Sequence, residues 1–115
     1  MSTQSKNTDS MPELSVIVPC FEEESRLART LPLLLAFLHE HEPAHELIIV
    51  DDGSQDATPE LAAKLGGATT RVLTHARNLG KGAAVRTGVA ASRGHRVLLT
   101  DADLSTPLVE LAALE

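Results

Sequence analysis

The chain of 115 residues is poor in aromatic side chains, with two phenylalanines and neither tryptophan nor tyrosine. It also has no excess of basic over acidic residues, because its formal net charge at pH 7 is −6. Proteins that bind nucleic acid without sequence preference combine basic grooves with aromatic stacking platforms. These two absences therefore argue against a nucleic-acid partner.

Cysteine and long apolar runs are scarce as well. Cys20 is the only cysteine, which excludes an internal disulfide and favours a reducing, cytoplasmic compartment. No base partner is evident for it, so we expect a packing role and not a nucleophile. The longest apolar run, at 31–38, has eight residues and is too short to span a bilayer. The polar opening lacks the apolar core of a signal peptide, so residues 1–12 are expected to be a disordered tail.

Extended and helical patterns alternate along the rest of the chain. Four apolar runs predict buried strands, at residues 14–19, 46–50, 71–75 and 95–100. Helices are predicted at residues 24–41, from Thr58 to the Gly66–Gly67 pair, at residues 83–93, and from Thr106–Pro107 onward. This alternation predicts an α/β fold in which a mostly parallel sheet is flanked by helices.

Two details of the first helix depend on single residues. Ser25 is a candidate for its N-cap. Pro32 either kinks the helix or lies in the first turn of a second helix that Thr30 caps.

Acidic residues follow three of the four predicted strands, in the segments PCFEEES, DDGS and DADLS. The carboxyl ends of parallel strands lie at one edge of a sheet, and ligands bind in the crevice outside that edge. The topology therefore predicts that these acids converge on one site.

Asp101 and Asp103 are one residue apart, and in an extended chain they point in the same direction. A divalent cation between them would remove their repulsion, and oxygen ligands suit Mg²⁺ or Mn²⁺. Mg²⁺ completes its shell with substrate phosphates, which indicates a nucleotide ligand. The alternative is that Asp103 or Ser105 caps the next helix while Asp101 is solvated.

The segments DDGS and RNLGKG each have two interpretations. DDGS is a turn signal, but strand alternation would direct one of Asp51 and Asp52 into the crevice. RNLGKG places Arg77, Lys81 and two glycines before a helix, which suits an anion, or else its glycines only permit a turn. It matches neither a P-loop nor a dinucleotide fingerprint.

HEPAH, at 41–45, matches the zinc-protease pattern H-E-x-x-H, which requires both histidines on one helical face. Pro43 disrupts such a helix. We therefore interpret His39, His41 and His45 as part of a solvated connection.

Four segments together resemble the start of a family 2 glycosyltransferase with the GT-A fold: SVIVPCFEEESRL, ELIIVDDGSQDAT, RNLGKGAAVRTGVAASRG and VLLTDADLSTP. Within the family they are most similar to the dolichyl- and polyprenyl-phosphate sugar transferases, the glucosyltransferases above all. The resemblance implies that residues 13–115 are a Rossmann-like nucleotide-sugar-binding part of a longer domain.

The resemblance also implies roles for particular residues. Asp101 and Asp103 correspond to the catalytic and metal-binding acids, and Mg²⁺ or Mn²⁺ is the implied cofactor. The residues implied to bind the nucleotide sugar are Pro19, Phe21, Glu23, Val50, Asp52, Lys81, Asp101, Ala102 and Asp103. Three positions depart from the pattern: Phe21 stands where tyrosine is common, Glu22 where asparagine is common, and Ser105 where the mannosyl branch has glutamine. The last departure, together with the segments NLGKG and LSTP, favours UDP-glucose over GDP-mannose as the donor.

The implied reaction is transfer of a sugar, with inversion, from a nucleoside-diphosphate sugar to a lipid phosphate. We expect the enzyme to be cytoplasmic or at the cytoplasmic face of a membrane, with peripheral membrane contact through sequence beyond residue 115. Residues 1–115 alone are expected to bind donor weakly and to turn over little or none. The alternatives are a non-catalytic nucleotide-binding module, a receiver-type signalling domain and a nucleotidyltransferase.

Overall fold

The structure, a computed structural model, describes residues 11–102 and the backbone of residues 109–111. Residues 1–10 of the predicted tail lie outside that part of the chain. The elements are β1 (Leu14–Cys20), α1 (Glu24–His41), β2 (His45–Asp51), α2 (Thr58–Gly66), β3 (Thr70–Thr74), α3 (Lys81–Ala91), β4 (Arg96–Leu99) and β5 (Val109–Leu111). The predicted alternation of strands and helices is confirmed as far as β4.

The five strands form one sheet in the order β3-β2-β1-β4-β5. β1 is parallel to both β2 and β4, and β2 is parallel to β3. β2 and β3 thus lie on one side of β1, and the chain then crosses to the other side, where β4 pairs with β1. This reversal of direction creates a topological switch point beside β1. Receiver domains have the strand order 2-1-3-4-5, so the signalling alternative does not fit.

Each face of the sheet has its own apolar core. One face packs against α1 and α2, and its core includes Val16, Val18 and the buried leucines of α1. The other face packs against α3 around Ile17, Ile48 and Ala84. α3 approaches closely because it is rich in small residues. A Cβ on Gly88 would lie 2.5 Å from Ile17 Cγ2, so this helix needs a glycine at the contact.

α1 is one helix with Pro32 inside it, so a restart capped by Thr30 is wrong. The single hydrogen of the Thr30 hydroxyl is instead shared between the carbonyl oxygen of Arg26, at 3.0 Å, and that of Ala102. The predicted Ser25 cap is also wrong, because the helix begins at Glu24 and Glu23 occupies the N-cap position without a side-chain cap bond. Among the described helices, none combines the length and apolarity that crossing a membrane requires.

The helix predicted from Thr106–Pro107 onward is wrong for residues 109–111, which form β5 antiparallel to β4. Val109 and Leu111 alternate with Glu110 in the two-residue period of a strand. The open edge of β4 offers unpaired backbone groups, and pairing with them overrides helical propensity. β5 therefore covers the edge of β4 that the predicted helix would have left open.

At the amino ends of the strands, buried polar groups form a network that the sequence did not indicate. The interpretation of His45 as solvated is wrong, because it is buried and its ring nitrogens contact Glu42 O and Thr69 Oγ1. The neighbouring Glu46 carboxylate accepts hydrogen bonds from the Ser15 hydroxyl at 2.6 Å, the Arg93 N–H at 2.7 Å and the Arg71 guanidinium at 3.0 Å. This network ties β1, β2 and β3 to the end of α3.

Candidate functional site

The loops that follow β1 and β2 are joined to each other by hydrogen bonds between residues more than 30 positions apart. The Glu22 N–H donates to Ser54 Oγ at 2.7 Å, and the Glu23 N–H donates to Thr58 Oγ1 at 3.0 Å. The remaining bonds run the other way, from Gln55 N–H to Glu22 and from Ala57 N–H to Glu24. Both loops therefore form one wall at the carboxyl edge of the sheet.

The two aspartates of DDGS point to different surroundings, as strand alternation predicts. Asp51 is fully buried, and its Oδ2 accepts the Ser54 N–H at 3.0 Å. Its Oδ1 has no hydrogen-bond partner among the described residues. Asp52 reaches the crevice, and it is therefore the member of the pair that can meet a ligand.

Asp52 is held by the segment between β3 and α3. Its Oδ1 accepts the Leu79 N–H at 2.9 Å and lies 2.7 Å from His75 Nδ1, and its Oδ2 accepts the Gly80 N–H at 2.8 Å. Burial by itself raises the pKa of Asp52, but these hydrogen bonds outweigh it and bring the pKa below its ordinary value. Asp52 is thus an ionised carboxylate with a fixed orientation.

Gly53 allows the DDGS turn to approach this segment. Its φ is +81°, and a Cβ at this position would lie 2.4 Å from the carbonyl carbon of Arg77 and 2.5 Å from the nitrogen of Asn78. No other residue type fits both the backbone conformation and the space. The turn signal in DDGS therefore also determines where residues 77–80 lie.

A cavity of about 380 Å³ opens beside these loops, at the switch point next to β1. Its volume lies within the range of small-molecule sites. Seven of the nine predicted nucleotide-sugar residues line it, namely Pro19, Phe21, Glu23, Asp52, Lys81, Asp101 and Ala102. The cavity brings together residues from all three acidic segments, so the predicted convergence of the acids is confirmed for the described residues.

The cavity wall also contains cationic groups. Arg26 was not predicted, and its guanidinium lies 3.1 Å from the Glu23 carboxylate. Its position one turn into α1, three residues after Glu23, is the sequence signal that could have identified it. Lys81 is the first residue of α3, and the first turn of that helix has no acidic residue. In the described part of the chain its ammonium forms no ion pair.

Among the described residues, Val50 is the predicted residue that does not line the cavity. The side chain of Val50 is fully buried in the core beneath α3. Asp103 lies outside the described residues, as does Ser105. Arg77 lies on a neighbouring cavity of about 600 Å³, which shares Phe21 and Asn78 with the first.

The described residues contain no group of three or more histidine, cysteine, aspartate or glutamate side chains arranged for a metal ion. The half-buried Asp101 carboxylate on the cavity wall is nevertheless a hard oxygen donor of the kind that Mg²⁺ and Mn²⁺ take. One protein carboxylate beside a phosphate-bearing ligand fits the coordination habits of Mg²⁺. The chemistry of the Asp101 side chain therefore fits such a cation.

Cys20 also touches the cavity but is not equipped for nucleophilic chemistry. Burial, together with the charges of Asp51, Glu23 and other nearby acids, raises its pKa from 9.0 to about 12. The thiol therefore stays protonated at neutral pH, as the predicted packing role requires.

Comparison with known proteins gives a consistent result. The sequence model that matches describes "Glycosyl transferase family 2" and covers residues 15–110. The chain is 41% identical over 112 residues to a dolichyl-phosphate beta-glucosyltransferase of Mus musculus, an alignment that covers 90% of this chain and 35% of the mouse protein. The chain thus spans about a third of the length of the curated relatives it matches.

Solved structures show the same fold. The mannosyltransferase PcManGT of Pyrobaculum calidifontis, in complex with GDP-Man and Mn²⁺, has a TM-score of 0.68 and 25% identity, covering 81% of this chain and 28% of its own. TarS 1–349 of S. aureus, in complex with UDP-GlcNAc, has a TM-score of 0.71 and 28% identity, covering 79% and 26%. The strand order, the acids at the switch point and the match over residues 15–110 agree, and the chain belongs to glycosyl transferase family 2.

Proposed function

We propose that this chain binds the donor of a glycosyltransferase that moves glucose from UDP-glucose to a polyprenyl or dolichyl phosphate with inversion. The observation that supports this most is the cavity at the switch point, where acids from three strand ends meet the amino end of α3. The names of the curated relatives support glucose and a dolichyl phosphate. GDP-Man and UDP-GlcNAc in the related structures support a nucleoside-diphosphate sugar as donor.

The amino end of α3 is suited to the diphosphate of such a donor. The first N–H groups of a helix have no partner within the helix, and its dipole favours an anion there. Lys81 adds a full positive charge at the same place. These groups would neutralise the charge that grows on the diphosphate as it leaves.

Asp101 and Asp103 are the residues that would hold Mg²⁺ or Mn²⁺. When bound, such a cation supplies further positive charge to the leaving diphosphate. Glu23 and Asp52 are hydrogen-bond acceptors on the wall formed by the first two loops. We assign to them, with Pro19, Phe21 and Ala102, the binding of the nucleoside part.

The acceptor needs little activation. A phosphate monoester has its second pKa near 6 and is mostly dianionic at pH 7. One of its oxygens would attack the anomeric carbon from the side opposite the diphosphate, which leaves with the electron pair of the broken carbon–oxygen bond. Catalysis then consists mainly of positioning and charge neutralisation. The proposed acceptor is a membrane lipid, and the single cysteine favours a reducing compartment, so the location we propose is the cytoplasmic face of a membrane.

Calorimetry on the chain of residues 1–115 tests this proposal, with UDP-glucose, GDP-mannose and NAD as ligands, each with and without Mn²⁺. We expect UDP-glucose to bind, more tightly with Mn²⁺, and Asp101→Asn and Asp103→Asn to abolish the Mn²⁺ dependence. Glu60→Gln is the matched control, since it neutralises an exposed acid on α2 that does not line the cavity. Metal-independent binding of NAD, or no binding of any sugar nucleotide, would contradict the proposal.

Turnover distinguishes an enzyme from a non-catalytic module. The assay follows transfer of labelled glucose to a polyprenyl phosphate by a protein that extends beyond residue 115 to the length of the curated relatives. Transfer that Asp103→Asn abolishes supports the enzyme. Tight donor binding without any transfer would instead favour a nucleotide-binding module.

A further inference from the structure

His75 is not among the residues that the sequence singled out, yet it lies between Asp52 and α3. It directly follows β3, and its backbone N–H donates to the carbonyl of Asp51 at 2.9 Å. Its Nδ1 is 2.7 Å from Asp52 Oδ1, and its Nε2 is 2.8 Å from Thr87 Oγ1. Only 11% of its side chain is exposed. Both ring nitrogens are therefore engaged inside the protein.

The partners determine which ring nitrogen bears the proton. An ionised Asp52 carboxylate can only accept hydrogen bonds, so His75 Nδ1 must be the donor. The Thr87 hydroxyl can both donate and accept, and it can therefore pair with Nε2 in the neutral or the charged ring. The hydrogen bond to Asp52 is compatible with both ionisation states of His75.

The hydrogen bonds within the protein limit how many hydrogen bonds a ligand can donate to Asp52. A carboxylate offers about four acceptor positions. Oδ1 already accepts from His75 and Leu79, and Oδ2 accepts from Gly80. One acceptor position remains, on Oδ2, and the side chain lines the cavity. A ligand can therefore give Asp52 one hydrogen bond, from a hydroxyl or an N–H group.

We infer that His75 is a positioning residue of the donor site: it holds Asp52 Oδ1, so that Oδ2 presents its remaining acceptor position to the nucleoside of the donor. This inference rests on the proposed function for the identity of the ligand. The geometry of His75 and Asp52 is independent of the proposed function, because it is a property of the protein without ligand.

Two substitutions test the hydrogen bonds of the two ring nitrogens separately. In His75→Asn, the side-chain amide nitrogen can occupy the place of Nδ1 and keep the hydrogen bond to Asp52. In His75→Gln, the longer side chain can reach Thr87 but no longer has a donor at the place of Nδ1. Calorimetry with UDP-glucose and Mn²⁺ is expected to show binding about tenfold weaker for His75→Gln. For His75→Asn the dissociation constant should stay within about twofold of the unsubstituted chain.

Urea denaturation of both variants provides the folding control. Equal affinity of His75→Gln and the unsubstituted chain would overturn the inference. An equal loss of affinity in both variants would also overturn it, because the volume of the ring, and not its hydrogen bond to Asp52, would then be what matters. If the unsubstituted chain binds neither UDP-glucose nor GDP-mannose, the proposed function fails, and the geometry is judged by a second measurement.

That measurement is nitrogen-15 NMR of the His75 ring in the unsubstituted chain without ligand, which needs no variant to fold. The neutral ring is expected as the tautomer with the proton on Nδ1, because the Asp52 carboxylate can only accept. A neutral ring with the proton on Nε2 would show that His75 does not donate to Asp52, and it would overturn the inference by itself.

Discussion

Lys81 occupies a position that is unfavourable for helix stability. It is the first residue of α3, the N-cap Gly80 provides no side-chain cap, and no acidic residue lies in the first turn. The helix dipole places about half a positive charge at this end. A lysine here is repelled by about 0.3 to 1 kcal/mol, so Lys81→Gln is expected to raise the free energy of unfolding by that amount. For a domain of this size, the melting temperature would rise by about 1 to 4 °C.

The same substitution should weaken donor binding. A hydrogen bond from a charged group contributes about 1.5 to 3 kcal/mol, so the dissociation constant for UDP-glucose is expected to rise by about 10-fold to 150-fold. Stability and affinity would therefore change in opposite directions, which loss of native structure cannot produce. Thermal denaturation without ligand and calorimetry with UDP-glucose and Mn²⁺ measure the two quantities.

Lys64 offers the matched control, since it lies in the last turn of α2, where the dipole favours a cation. Lys64→Gln is expected to lower stability by about 0.3 to 1 kcal/mol and to leave donor affinity unchanged. If Lys81→Gln lowers stability, or if it leaves the dissociation constant unchanged, the argument that Lys81 is placed for an anion is refuted.

Four other substitutions or conditions test the structure. Gly53→Ala should lower the free energy of unfolding by more than about 2 kcal/mol in urea and weaken donor binding, because its Cβ meets the segment after β3; wild-type stability would contradict this. Glu46→Ala should lower it by about 3 kcal/mol, while unchanged stability would refute a role for that network. The pKa of Cys20 is about 12 in the folded protein and 9.0 in the unfolded chain, so stability should fall as pH rises from 9 towards 12. At pH 8, iodoacetamide should label the native thiol on the order of a thousandfold more slowly than the thiol of the chain unfolded in urea. Fast labelling of the native protein would contradict this prediction. The lowered pKa of Asp52 stabilises the fold above its ordinary value of 3.8 and ceases to do so as pH falls through the folded value; Asp52→Asn should flatten this acid limb in denaturation curves, and an unchanged slope would argue against it.

The apolar runs were sufficient to predict β1 to β4 and the parallel sheet, because fully buried strands need continuous apolar sequence. The topology of such a sheet then required Glu23, Asp52 and Asp101 to lie at one edge, which the structure shows. Both predictions depend on periodicity and chain direction, which can be seen in the sequence alone.

The parts that could not be predicted depend on contacts between distant residues. The bond between His75 and Asp52 joins positions 23 apart, and no local pattern marks such a pair. Glu46 begins the predicted strand at 46–50, but its hydrogen-bond partners come from three other segments of the chain. β5 forms because β4 offers a free edge, which is a property of the folded sheet and not of residues 109–111.

The hydrogen bonds between the loops after β1 and β2 limit how this chain can vary in length. Glu22 and Glu23 meet Ser54 and Thr58 in strict register, so adding one residue to either loop would displace every partner at once. Evolution and protein engineering should therefore keep the lengths of both loops beside the cavity constant.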